Sequence, residues 1–384
     1  MVAALVPELD YPRAIYLHIP FCRQRCHYCD FATGLGTEAQ IAEYVQVLCQ
    51  EIAATPTGEQ AIETIFFGGG TPSLLSGEQL QRIMDSLRQH FRIDPQAEIS
   101  LEANPGTTSL DNWYAYRAAG INRVSLGVQA FQPHLLRLCG RLHGVEEVYA
   151  TLADMRQAGF SNFNLDLIFG LPEQTLADWQ ASLEAVLEIA PPHVSLYDLT
   201  LEPNTPFGKR YRPGSRPLPS EEETVAMYVM ARQVLLAAGY EHYEISNFAR
   251  PGFACRHNRV YWGNQSYYGL GMGATGYVRG VRRENPRTLS AYFQEIRSGI
   301  RPQPQPETEQ DHWLNTLMLG LRLQEGLNLA TLQATFGSAR VEQTLERLQP
   351  YQQRGWVSWE QGWLRLLPPQ GWLMANEVLL ALWD

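Results

Sequence analysis

The sequence predicts an α/β protein: a partial (β/α)6-type barrel followed by a C-terminal helical and winged-helix-like module. Three observations carry this. Six short apolar stretches alternate with helix-length amphipathic segments through the first two thirds of the chain, the pattern of repeated β-then-α units. Polar and glycine residues gather at the C-terminal ends of those stretches, where a barrel keeps its active site. Beyond a proline-rich run the chain changes to helices and a tryptophan-bearing hairpin.

The strands are expected at 14–19, 62–67, 98–103, 122–128, 162–169 and 193–200. They read as continuous apolar runs, as parallel strands buried on both faces do. Helix starts are marked by Thr37 with Gln40, Ser76 with Gln79 and Ser220 with Glu223, each spaced as a capping box. In the segment from 77, Leu80, Ile83, Met84, Leu87 and Phe91 fall on one helical face. Gly120 and Gly159 close helices before the next strand. The strand ends carry Gly68-Gly69-Gly70-Thr71, Glu102, Gln129 and Asp166. A doubly wound sheet also fits repeated β-α units; the shared location of these polar residues favours the barrel.

Residues 1–300 are read as the barrel and its extension, including a region at 254–277. Residues 301–308 form a linker and 309–384 the terminal module. Within that module, helices at 309–321, 328–336 and 340–354 precede Trp356-Val357-Ser358-Trp359, a glycine turn and Trp363-Leu364-Arg365-Leu366. From 305 to 384 there are nine acidic residues, five arginines and no lysine, too little positive charge for a DNA-contacting wing. A docking or lid role is expected instead.

Composition narrows the function. The 384 residues carry a net charge of −10, with 45% hydrophobic and 18% charged side chains, so a sizeable core is available and no general nucleic-acid surface is expected. Six cysteines in such a chain are not a disulfide framework and fit a reducing, cytoplasmic setting. Residues 1–10 lack the charge and apolar run of a signal sequence, and no stretch is long enough to span a membrane.

Three of the cysteines are clustered. Cys22, Cys26 and Cys29 stand four and three residues apart, on a loop just after the first strand. Three thiolates on such a loop can wrap one inorganic centre. On a four-iron cluster they would leave one iron open, as catalytic zinc keeps an open position. Arg23 and Arg25 add charge that favours thiolates. Spacing alone leaves two other readings open: a zinc site completed by His18 or His27, which would make the chain a zinc-stabilised barrel enzyme, and three unligated thiols. Gly271, Gly273 and Gly276 match a dinucleotide-binding pattern formally but lack its strand-helix context, and are read as loop geometry.

The Cys22-x-x-x-Cys26-x-Tyr28-Cys29 segment resembles the signature of the radical S-adenosylmethionine (SAM) superfamily. There the open iron chelates SAM, and reduction cleaves it to a 5′-deoxyadenosyl radical. The glycine run at 68–70, Glu102 in Glu-Ala-Asn-Pro, Gln129, Arg141, Asp166 and the C-terminal module extend the resemblance to the oxygen-independent coproporphyrinogen III oxidase-like branch, over nearly the whole chain. The resemblance implies a [4Fe–4S] cluster on Cys22, Cys26 and Cys29. It implies a SAM site lined by Gly70, Thr71, Glu102, Gln129, Arg141 and Asp166, with Tyr16 and Tyr28 beside the cluster.

Within that branch the oxidases carry a fourth cysteine where this chain has Phe31, and a long N-terminal arm where it has 21 residues before Cys22. Both departures count against porphyrinogen decarboxylation; SAM cleavage remains compatible with three cysteines. His257-Asn258-x-x-Tyr261-Trp262 instead resembles the HemW-type haem chaperones, which bind haem and pass it to apo-proteins such as respiratory haem enzymes. Any membrane association would then be peripheral and through those partners. By this resemblance His257 is the haem ligand, with Arg256 and Arg259 as candidate propionate partners, Trp262 packing on the macrocycle and Cys255 a ligand or a spectator. On residue identity alone, a single histidine is more often an ordinary core or surface residue.

Overall fold

The computed structural model describes residues 11–302 and 304–383; the reading of residues 1–10 lies outside them. Six parallel strands are neighbours in chain order: β1 (Ala14–Ile19), β2 (Ile62–Gly69), β3 (Ile93–Ala103), β4 (Arg123–Gln129), β5 (Phe163–Phe169) and β6 (His193–Asp198). Antiparallel β7 (Glu241–Glu244) and β8 (Asn247–Ala249) extend the sheet beyond β6, and β9 (Tyr268–Leu270) joins β1 in parallel. The order is β7-β8-β6-β5-β4-β3-β2-β1-β9, with β7 and β9 as edges, so the barrel is open.

Helices α1 (Glu38–Ala54), α2 (Gly77–His90), α3 (Leu110–Ala119), α4 (Pro133–Leu138), α5 (Val145–Gln157), α6 (Leu176–Ile189), α7 (Pro206–Arg210) and α8 (Glu221–Ala237) lie between the strands. All three expected capping boxes form, at Thr37, Ser76 and Ser220. Leu80, Ile83, Met84 and Leu87 are the buried face of α2. Gly120 ends α3 with φ +107, a conformation that would strain a side chain there.

The expectation of continuous apolar strands needs correction. The strands alternate. Ile15, Leu17 and Ile19 of β1, Val124, Leu126 and Val128 of β4, and Leu165 and Leu167 of β5 pack outward against the helices in the main core. The residues between them (Tyr16 and His18, Arg123 and Ser125, Asn164 and Asp166) point inward. A doubly covered sheet would bury apolar groups on both faces; here the inner face lines a polar cavity, so period two survives. The outer packing holds the barrel together: shortening buried Trp179 to alanine would cost about 3–5 kcal/mol.

After β8, a short helix α9 (Arg256–Trp262) crosses to the inner side of β2 and β3 before the chain enters β9. Gly271 and Gly273, both at positive φ, form the turn from β9 into the hairpin of β10 (Thr275–Val278) and β11 (Val281–Glu284), as the loop reading expects; Gly276 instead lies inside β10, paired with Arg283. Helix α10 (Leu289–Ser298) then packs on α1. Glu51 of α1, fully buried, gathers this extension: it accepts from the Gly271 N–H (2.7 Å), Asn285 (2.9 Å), Tyr292 (2.8 Å) and Arg301 (3.1 Å).

The C-terminal part has its own apolar cluster, built on Trp313, Leu317, Leu348, Leu364 and Trp372. It contains α11 (Glu309–Gly320), β12 (Leu327–Asn328), α12 (Leu329–Phe336), α13 (Ser338–Gln353), β13 (Val357–Ser358), β14 (Trp363–Leu366) and two short helices, α14 (Gln370–Leu373) and α15 (Ala375–Leu380). The three strands form a small antiparallel sheet, as expected of helices followed by a hairpin. Among the described residues, no helix is long and apolar enough to cross a membrane.

Candidate functional site

The barrel encloses a cavity of about 790 Å³, within the ordinary size of a small-molecule site. Tyr16, Tyr28, Gly70, Glu102, Gln129, Arg141 and Asp166 line it, together with Cys22, Cys26, Cys29 and His257. Thr71 stands just behind, in a smaller adjoining pocket, with its hydroxyl 3.7 Å from the Cys22 sulfur. Sequence positions from 16 to 257 thus converge on one space.

The cysteine loop enters it from the end of β1. Its base is set by backbone bonds: Cys22 N–H to the Gly34 carbonyl (2.9 Å), Gly34 N–H to Pro20 (2.8 Å) and His27 N–H to Cys139 (3.0 Å). The glycine run is required by this loop. A Cβ on Gly70 would fall 2.6 Å from the Phe21 carbonyl, and Gly69 has φ +112 with the His18 ring beneath it. The three cysteines are free and half-buried. Burial raises the Cys22 and Cys29 thiols above their ordinary values, with neighbouring cysteines adding to it.

The expected helpers of the thiolates are only partly those that serve. Arg23 turns away to donate to the Gly106 and Thr107 carbonyls (3.1 and 2.9 Å), while Arg25 stays near enough to lower Cys29 slightly. The guanidinium on sulfur is that of Arg141, whose Nη1 lies 3.4 Å from Cys26. Its other arm donates to Asn104 and to the Gly127 carbonyl, both at 2.5 Å. Phe31 sits exposed at the cavity mouth.

Two carboxylic acids occupy the interior. Burial lifts Glu102 to about 8, with nearby Asp166 adding to it; it accepts the Gly69 N–H at 3.0 Å. Asp166 is raised by burial as well, although Ser125 (3.0 Å) and Asn164 (2.7 Å) donate to it. Gln129 follows a bulge in β4 with φ +70, a strained conformation for a non-glycine residue and one concentrated at functional sites.

At the inner end lies His257, with no solvent exposure. Its Nδ1 pairs with the Thr64 hydroxyl and its Nε2 with the Tyr261 hydroxyl, both at 2.8 Å. Burial, helped by the charge of Arg123, lowers it to about 3, so the ring is neutral, the form that ligates metals. Glu98 of β3 anchors the helix: it accepts the N–H groups of Arg256 and His257 (both 3.2 Å) and the Cys255 thiol (3.6 Å).

Around His257 the sequence expectations change. Arg256 donates to the Gln96 carbonyl (2.9 Å), Arg259 pairs with Glu325, and Trp262 lies under the Arg322 guanidinium, 4.4 Å from the ring. None of the three lines the cavity, because α9 turns them outward, toward the barrel surface and the C-terminal helices. Cys255, lifted to about 12 by burial, is held by Glu98. Sequence reasoning missed Tyr261 as the immediate partner of His257, and Arg123, Ser125, Asn164 and Ser195 as cavity residues. Their signal was the polar half of the period-two alternation in β4, β5 and β6.

Residues 16–186 match the radical SAM superfamily, and residues 308–374 match the HemN C-terminal domain. The chain is 42% identical to the heme chaperone HemW of Synechocystis sp., over 97% of this chain and 96% of that one. It is 35% identical to heme chaperone HemW of Bacillus subtilis, over 95% and 98%. Heme chaperone HemW of Escherichia coli matches at 43% over 70% of each. Among solved structures, coproporphyrinogen III oxidase (HemN) from Escherichia coli, described as a radical SAM enzyme, superposes with a TM-score of 0.85 at 25% identity, covering 98% of this chain and 91% of that one.

Proposed function

We propose that this chain, which belongs to the HemW family of the radical SAM superfamily, is a cytoplasmic haem chaperone that binds haem, passes it to apo-proteins and carries a [4Fe–4S] cluster with SAM. The observation that carries this reading is the make-up of one cavity. Three cysteines stand at its mouth and a neutral, doubly hydrogen-bonded histidine at its inner end.

The residues at the mouth fit a polynuclear cluster. Thr71 and Arg141 aim donors at the Cys22 and Cys26 sulfurs, which suits thiolates. Burial disfavours the free thiolates of Cys22 and Cys29, and a bound cation would supply the compensating charge. Both ring nitrogens of His18 are engaged, by the Tyr16 hydroxyl and the Ala32 carbonyl (each 3.0 Å), which weighs against its completing a zinc site. Cys22, Cys26 and Cys29 would hold the cluster. Bound there with one iron open, it supplies a chelation point for SAM. This chain's residues do the rest: Glu102 and Asp166 accept from the polar end of the ligand, Gln129 and Arg141 orient it, and Tyr16 and Tyr28 close the space beside the sulfurs.

His257 is the iron-facing candidate for haem. Taking iron at Nε2 requires the Tyr261 hydroxyl, which holds that nitrogen at 2.8 Å, to swing aside. The likeness to HemN raises a second reading, porphyrinogen decarboxylation. Phe31, where the resembling oxidases carry a fourth cysteine, weighs against it.

The deciding experiment is an anaerobic titration of the iron-loaded protein with haem, with and without SAM. One haem per chain, with a Soret band that changes in His257→Ala, supports the chaperone reading. No saturable haem binding, or vinyl-group formation from coproporphyrinogen III, overturns it.

A further inference from the structure

At the inner end of the cavity lies a guanidinium without a hydrogen-bond partner. Arg123, at the start of β4, is buried at 2% exposure and lines the cavity. It makes no hydrogen bond or ion pair with any described residue, and its Nε is sealed from solvent without an acceptor. The carboxylates around it are committed elsewhere. Glu98 is occupied by the N–H groups of α9 and the Cys255 thiol, and Asp166 by Ser125 and Asn164. Directly across from Arg123 in the sheet register stands Ser100 of β3, fully buried, and its hydroxyl also lacks a partner.

Two adjacent buried donors with no acceptor are costly. Nearby Glu98 and Asp166 favour the charge of Arg123, but a buried N–H without an acceptor still carries the desolvation cost of that group. Such a cost persists where a ligand supplies the missing group, and a guanidinium fork matches a planar anion with two oxygens.

We infer that Arg123 forms a carboxylate subsite at the inner end of the cavity, which receives a carboxylate group of the molecule bound there; Ser100, fully buried beside it in the sheet, lies outside the cavity lining. This rests on the haem reading above in one respect: haem carries two propionates, and Arg123 and His257 line the same cavity. It replaces Arg256 and Arg259, whose guanidinium groups are engaged outside the cavity. The carboxylate of SAM is the other source of the same chemistry.

The test compares wild type with Arg123→Met, which keeps the volume and removes the charge. Haem and haem dimethyl ester are titrated into both iron-loaded proteins, and SAM binding is measured alongside. Wild type should prefer the free acid by about ten- to a hundredfold, the range of one charge-assisted contact, and Arg123→Met should bind acid and ester alike. If the preference is unchanged but SAM binding falls tenfold or more, the subsite stands and its carboxylate is that of SAM. Two further readouts do not depend on haem. Sodium propionate should raise the Tm of ligand-free wild type above a sodium chloride control and leave that of Arg123→Met unmoved. The ligand-free variant should also melt at the same temperature as wild type or higher. Unchanged binding of both haem and SAM in Arg123→Met, or a Tm that falls by many degrees, overturns the subsite. Failure of wild type to take haem would instead count against the chaperone reading, leaving the subsite to the SAM and propionate arms.

Discussion

The two ends of the cavity are built on opposite principles. At the mouth, the three cysteines sit on a half-exposed loop held by backbone hydrogen bonds, and their thiols have few side-chain partners. At the inner end, His257 has no exposure, both ring nitrogens are engaged, and its helix is capped by a buried carboxylate. The mouth presents three free cysteines to the cavity. The inner end is a finished structural network that must open before it can ligate. A residue's type therefore shows what it can bind, but its existing partners set what binding costs.

Replacing the cysteines tests the mouth most severely. Cys22→Ala, Cys26→Ala and Cys29→Ala should each abolish cluster assembly, measured as iron and acid-labile sulfide, because two thiolates cannot hold it. Cys139→Ala and Cys255→Ala should retain full content, both being buried and outside the trio. Full iron content in Cys26→Ala would erase the distinction between the two ends.

The inner end should respond in two ways at once. His257→Ala should weaken haem binding by about a hundredfold or more if iron is ligated, since about 1.4 kcal/mol is a factor of ten. It should also destabilise the protein by about 1–3 kcal/mol, because Thr64 and Tyr261 lose a buried partner. Replacing exposed, unpaired His134 by alanine should change neither, which makes it the control. An unaltered ferric haem spectrum in His257→Ala would make His257 purely structural.

Between the two ends, Glu102 makes stability depend on pH. Its folded value, about 8, lies above its ordinary value of 4.5. The folded chain therefore holds an extra proton through that interval. The stabilisation is complete below the lower value and falls away as pH rises toward the upper one. Ligand-free wild type should lose up to several kcal/mol between pH 5 and 8, and Glu102→Gln should flatten that slope in chemical denaturation. A slope unchanged by the substitution would assign it to other groups.

Two further substitutions sharpen the comparison at α9 itself. Glu98→Ala strips a buried acceptor from three donors and should cost about 2–3 kcal/mol or more. Glu325→Gln removes a half-exposed ion pair with Arg259 and should cost about 1 kcal/mol or less, visible in thermal melts only as a small shift. Equal costs would mean that the C-terminal contact holds α9 as firmly as the barrel does.

The cluster motif was legible in the sequence because its information is local. Cys22, Cys26 and Cys29 act from one loop, so spacing alone conveys that they can share a centre. The capping boxes at Thr37, Ser76 and Ser220 were legible for the same reason: donor and acceptor lie within four residues. Strand positions followed from apolar content, and the residues at strand ends were found because a parallel barrel brings all those ends together.

Tertiary structure alone decided the pairings across the chain. Arg141 serves Cys26 from 115 residues away, where sequence proximity had suggested Arg23. His257 meets Thr64 across 193 residues. Arg256 and Arg259 turn outward because a helix of seven residues cannot present every side chain to one cavity. The polar face of β4 and β5 was written in the alternation of Arg123, Ser125, Asn164 and Asp166. That this face encloses a cavity follows only once six strands curve around it. The sequence by itself determined which groups have the chemistry; the closing of the sheet around them decided which of those groups meet, because burial and contact depend on distances that chain separation does not contain.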